Sequence, residues 1–144
     1  MSNYLDELEL QQLESIRLWA KYWSDHDSTR LLEVFIEDLV YEDVPTQRVN
    51  LGAAQLVSFS EEVFHMSSDV EYEITDAFVS LNRGGAEWVM RGTHQEAMAG
   101  LPATGKKFEV RGSSVFEFEG HKIRRCSDYW CMATLFHQLT AATE

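Results

Sequence analysis

The hydrophobic period of this chain changes once, near residue 70. That change constrains the fold more than any other feature. Before it, apolar residues recur at steps of three and four; after it, they alternate. In "LDELELQQLESIRLWAKYWSDHD", Leu10, Leu13, Ile16, Trp19, Ala20 and Trp23 fall on one stripe, which predicts a helix. "SDHDS" supplies turn and N-cap residues. "STRLLEVFIEDL" predicts a second, short helix carrying Leu31, Leu32, Phe35 and Ile36. "VYEDVPT" reads as a short extended segment stopped by Pro45, because the residue before a proline avoids helical geometry. "GAAQLVSFSEEVFHMS" predicts a third helix with Leu56, Phe59 and Phe64 inward.

Beyond the change, "VEYEITDAFVSL" and "AEWVMRGTHQEAMAG" read as strands joined by a turn at "NRGG". "LPATGKK" is a loop. "KFEVRGSSVFEFEG" and "HKIRRCSDYWCMATL" read as a hairpin joined through "EGHK". Three helices followed by four strands, in blocks, predict an α+β fold with the helices on one face of a curved, mainly antiparallel sheet. A chain of 144 residues with no repeat or linker suits a single domain, residues 1–144.

Alternation sorts the strand residues into faces. On the last strand Arg124, Cys126, Asp128 and Trp130 share one face, and Arg125, Ser127, Tyr129 and Cys131 the other. On the longer strand Trp88, Met90, Gly92 and His94 fall together. Apolar positions on both faces, Val89, Val115 and Tyr129 among them, predict that the outer face is covered by a second copy in a homodimer. The cysteines lie five apart, on opposite faces of one strand, so neither a bridge between them nor a metal or redox pair is expected.

Asp128, between Cys126 and Trp130, has two readings. It is a strand-end acid paired with Arg124 or Arg125, or a carboxyl group whose apolar setting raises its pKa and suits it to general acid or base work. Asp43 in "YEDVP" is a turn residue or a second carboxylate at the mouth of a pocket. His94 is a structural histidine or a proton donor or base. Trp19, Trp23, Trp88 and Trp130 suit a core or a pocket for a flat apolar ligand.

Charge and motifs exclude other classes. A net charge of −12 argues against nucleic acid and against anionic membrane surfaces. No apolar run approaches the ~20 residues of a membrane span, and the acidic N-terminus lacks the order of a signal peptide, so a cytoplasmic protein is expected. The five histidines show no metal-ligand spacing, and no phosphate-binding, dinucleotide or nucleophile-elbow motif occurs. No cofactor and no metal are expected.

Three stretches carry a family resemblance: "AKYWSDHDSTRLLEVFIEDLVYEDVP", "EWVMRGTHQEAMAGLPATGKKFEVRGSSVFEFEGHKI" and "SDYWCMATLFHQL". Together, over about residues 13–139, they resemble the SnoaL-like branch of the NTF2-like superfamily. The resemblance implies a cone-shaped α+β barrel, usually dimeric, with a deep apolar cavity. It also implies cofactor-free acid–base chemistry, as in the related polyketide cyclases, limonene-epoxide hydrolases and ketosteroid isomerases. The last-strand acid of the cyclases and hydrolases matches Asp128, and the isomerase base resembles Asp43. The isomerase oxyanion donors fall on Trp19 and Ser114. Cys131 stands where this branch commonly has a second acid.

The expected function is therefore acid–base catalysis on a hydrophobic polyketide-, steroid- or terpenoid-like molecule. Asp128 would be the acid or base, with His94 and Asp43 orienting substrate or relaying a proton. Trp19, Trp23, Tyr41, Trp88, Met90, Ser114, Phe116, Cys126 and Trp130 would shape the cavity. Cyclisation, isomerisation, dehydration and epoxide opening all remain open. So does a non-catalytic ligand-binding or assembly protein of the same fold.

Overall fold

In the computed structural model, residues 5–98 and 100–142 are described. Helix α1, Glu7–Ser24, opens on a capping box. The Asp6 carboxylate accepts from the Glu9 backbone N–H, and the Glu9 side chain accepts from that of Asp6. Its stripe buries Ile16, Trp19 and Trp23. Asp27 caps α2, Ser28–Glu33, through the N–H of Arg30.

The second helix stops at Glu33 instead of running to Leu39, and Phe35–Asp43 forms strand β1. The spacing of Leu31, Leu32, Phe35 and Ile36 mimics a helical stripe. The pairing of β1 with the last strand overrides it, a tertiary effect that local periodicity does not carry. A short strand not anticipated, β2, Arg48–Leu51, pairs with β1. Helix α3 occupies Gly52–Met66 as expected.

Strands β3, Glu71–Ser80, and β4, Arg83–Thr93, form a hairpin. Its turn is Leu81–Asn82, both with positive φ, instead of "NRGG". Two consecutive left-handed residues match the right-handed twist of the flanking strands. The glycines expected in the turn sit inside β4, where Gly85 leaves room for the ring of Phe78. Strands β5, Lys107–Glu119, and β6, Lys122–Trp130, form the last hairpin. The chain then enters a fourth helix, α4, Met132–Thr140, where the sequence pattern predicts a continuing strand. Cys131 is thus the N-cap of α4 and exposed, while Cys126 is buried; both are free.

The open six-stranded sheet runs β2-β1-β6-β5-β4-β3, with every neighbouring pair antiparallel except β1 and β6. Helices α1, α3 and α4 pack on it over β3, β1 and β5. Gln12 and Ser15 of α1 bond to the carbonyls of Gly120 and His121, which ties the helix to the β5–β6 turn. Between the helices and the sheet lie Trp19, Trp23, Leu56, Phe116, Ile123 and Leu135, all fully buried. Among the described residues no helix is long and apolar enough to cross a membrane.

Candidate active site

The parallel pairing of β1 with β6 builds the site. It sets Asp43 opposite Asp128 and Tyr41 opposite Cys126, while the antiparallel β5 sets Ser114 opposite Asp128. Residues 87 positions apart in sequence therefore meet: the Tyr41 hydroxyl donates to Asp128 Oδ2 at 2.7 Å. The Ser114 hydroxyl donates to Asp128 Oδ1 at 2.6 Å, and the Cys126 thiol points at the same oxygen at 3.4 Å.

Each hydroxyl is itself held by an indole. Trp19 Nε1 donates to the Tyr41 oxygen at 3.2 Å, and Trp88 Nε1 donates to the Ser114 oxygen at 2.9 Å. An indole N–H can only donate, so each hydroxyl oxygen is occupied as an acceptor and its own proton is left for Asp128. Gly112 makes the second arm possible, because a Cβ there would overlap the Trp88 ring.

Asp43 is held separately. Its Oδ1 accepts from Trp130 Nε1 at 2.7 Å, and its Oδ2 accepts from the Thr46 hydroxyl. Burial raises the pKa of Asp43. Burial also pushes Asp128 up to about 7, against the opposing pull of the Ser114 and Tyr41 hydroxyls, and the neighbouring Asp43 adds to the rise. The alternative of a surface Asp128 paired with Arg124 or Arg125 is excluded: Asp128 is only 9% exposed, and those arginines pair with Glu117 and Glu42.

Both carboxylates face a cavity of about 670 Å³. Of the residues expected to shape it, Trp23, Trp88, Met90 and Trp130 do line it. Trp19, Tyr41, Ser114, Phe116 and Cys126 do not form its wall; they lie behind Asp128 as a buried floor. His94 is not brought to the site. It follows Thr93, the last residue of β4, where the backbone turns into the 94–106 loop. There Nδ1 accepts from the backbone N–H of Thr104 at 3.2 Å and meets the Thr104 hydroxyl at 3.0 Å.

Sequence reasoning missed much of the wall. Tyr72 on β3, and Phe59, Val63 and Met66 on α3, line the cavity, as do Met98 on the loop and Leu135 on α4. The apolar stripe of α3 was a usable signal for Phe59. Arg48 and Glu62 form an ion pair on the cavity, and Arg48 lies over the Phe59 ring. Among the described residues no three His, Cys, Asp or Glu side chains gather as a metal site.

The family model of SnoaL-like polyketide cyclases matches residues 14–139. No curated protein matches the sequence significantly. Among solved structures, a protein from Jannaschia sp. CCS1, provisionally assigned as a SnoaL-like polyketide cyclase, superposes with a TM-score of 0.88 at 12% identity over 99% of this chain and all of that one. TsrD from Streptomyces laurentii gives 0.83 at 17% identity, covering 96% of this chain and 100% of its own. A protein with a ketosteroid isomerase-like fold from Catenulispora acidiphila, in complex with trimethylamine, gives 0.77 at 22% identity, covering 87% and 91%. At these identities the likeness shows the fold alone, and that fold is the NTF2-like one.

Proposed function

The chain belongs to the SnoaL-like polyketide cyclase family, and from that premise we propose that it is a cofactor-free acid–base enzyme acting on a hydrophobic small molecule in its cavity. One observation carries the reading: a buried carboxyl group, Asp128, faces a cavity of about 670 Å³ with its pKa raised to about 7. A group that titrates near neutrality both takes and gives a proton at the working pH, which makes it an effective general catalyst.

The two hydroxyls support a direction for that transfer. Tyr41 and Ser114 already donate to Asp128, so a proton on Asp128 occupies a lone pair that neither hydroxyl faces. Such a proton is available to a substrate in the cavity. Its loss leaves a carboxylate that both hydroxyls stabilise. Asp43, held by Trp130 and Thr46, orients substrate or completes the transfer from the adjacent strand. This chemistry fits proton abstraction next to a carbonyl, the step shared by aldol-type cyclisation and isomerisation.

A second reading, a binding protein without catalysis, draws support from His94, which is bound to Thr104 and leaves the carboxylates without a histidine partner. Hydrogen–deuterium exchange separates the two. With 2-tetralone as an acidic-carbon probe in D₂O, the protein should accelerate exchange at the α-carbon, and D128N should lose about a hundredfold or more of that rate. Absence of acceleration, or an unchanged rate in D128N, favours the binding protein.

A further inference from the structure

Asp43 and Asp128 are buried, and the nearest cation, Arg48 opposite Asp43 on β2, lowers the Asp43 pKa only against the larger effect of burial. Asp43 is 5% exposed and Asp128 9%. Every group that bonds to them is neutral: hydroxyls from Tyr41, Ser114 and Thr46, the Trp130 indole and the Cys126 thiol. Among the described residues neither forms an ion pair. Buried carboxylates are ordinarily paired with a cation or kept neutral by a proton.

The rest of the cavity deepens the imbalance. Glu62 and Glu96 line it as well, and among the described residues the one guanidinium on it, Arg48, pairs with Glu62 while it also acts on Asp43. The wall beside the carboxylates is aromatic and continuous. Trp23 lies 6.0 Å from Phe59 and 5.7 Å from Tyr72, and Tyr72 lies 5.5 Å from Trp88, ring centre to ring centre. The Trp130 ring, held by Asp43, extends the wall to the acid itself. Aromatic faces attract weakly hydrated cations. A pocket with aromatic walls and two buried carboxyl groups that form no ion pair suits a cation that carries its own apolar surface.

We infer that the substrate is a hydrophobic amine whose alkylated ammonium group lies against Asp43 and Asp128. This rests on the reading of the cavity as the substrate site and narrows it. A carboxylate or phosphate at this end would face two unpaired acids. A primary ammonium would have to give up strongly held water to a wall that offers few acceptors. A tertiary or quaternary ammonium meets neither obstacle.

Binding of such a cation is coupled to a proton. The titratable groups facing Asp128 are Asp43 and Tyr41 from β1, Tyr72 from β3 and Cys126 from its own strand, and none of these is a cation. Beyond them, the charged or titratable groups on the cavity are Arg48 of β2, Glu62 and His65 of α3, and Glu96 of the loop after β4. An ammonium beside Asp128 favours its ionised form, so the free protein, part-protonated at pH 7, releases a proton on binding.

Calorimetry on the full chain tests this with two probes of nearly equal shape, (4-hydroxyphenyl)trimethylammonium and uncharged 4-tert-butylphenol. Measurement at pH 7 in buffers of different ionisation enthalpy counts the protons. The expected result is about tenfold or greater preference for the cation, with release of up to about half a proton that D128N abolishes. The uncharged probe should bind without proton release. Equal or tighter binding of 4-tert-butylphenol overturns the inference while leaving the cavity a ligand site. Binding of neither probe removes the cavity reading and the inference with it.

Discussion

At Asp128 burial and hydrogen bonding pull in opposite directions. Burial favours the protonated form; the Tyr41 and Ser114 hydroxyls favour the anion, and burial prevails, lifting the pKa to about 7. The consequence for stability follows by linkage. Unfolded, the carboxyl ionises near ~3.9. Between that value and about 7 the unfolded chain is ionised while the folded chain holds the proton. Stability from this group is therefore full at low pH and falls as pH rises, by about 4 kcal/mol once pH has passed the folded value. Urea denaturation from pH 4 to 8 should show a decline in the native protein that is flattened in D128N; the same slope in both would contradict the assignment. The hydroxyls act the other way. Y41F removes a donor that stabilises the anion and strands the Trp19 indole, so it should raise the Asp128 pKa further and cost about 1–3 kcal/mol. An NMR titration of the variant checks the direction.

At the scale of elements, two replacements test how the site is held. Gly112→Ala drives a methyl group into the Trp88 ring, which then cannot keep its bond to Ser114. It should lower stability by about 1–3 kcal/mol, read by thermal unfolding. Leu135→Ala empties part of the α4 contact with the cavity and should cost about 2–5 kcal/mol. The same elements show what the sequence conveyed. The stripe of α1 and the alternation of β3 to β6 were legible because each pattern is local. The acid Asp128 was legible because its face could be counted along β6. Strand β1 was not. Its burial alternates only from Leu39 onward, and its first residues carry helical spacing. The Tyr41–Asp128 contact was hidden with it, because a parallel pairing across the chain leaves no signal in either segment. Helix α4 was hidden because Cys131 offers no side-chain cap bond to mark its start.

At the scale of the whole molecule, the outer face of the sheet leaves Val115 40% and Tyr129 44% exposed, near the half-buried Val89. This is the face on which the expected homodimer stands. Sedimentation should find a species of twice the 16.6 kDa chain mass, and replacement of Val115 and Tyr129 together by glutamate should return it to a monomer. A monomeric native protein would contradict that expectation.

Whether Asp128 holds a proton near neutrality is read from its own titration. Carboxyl ¹³C NMR of the full chain, with the Asp128 resonance assigned by its loss in D128N, follows the titration of this group alone. A midpoint near 7 is the predicted result. A midpoint near the ~3.9 of a free aspartate would contradict the account.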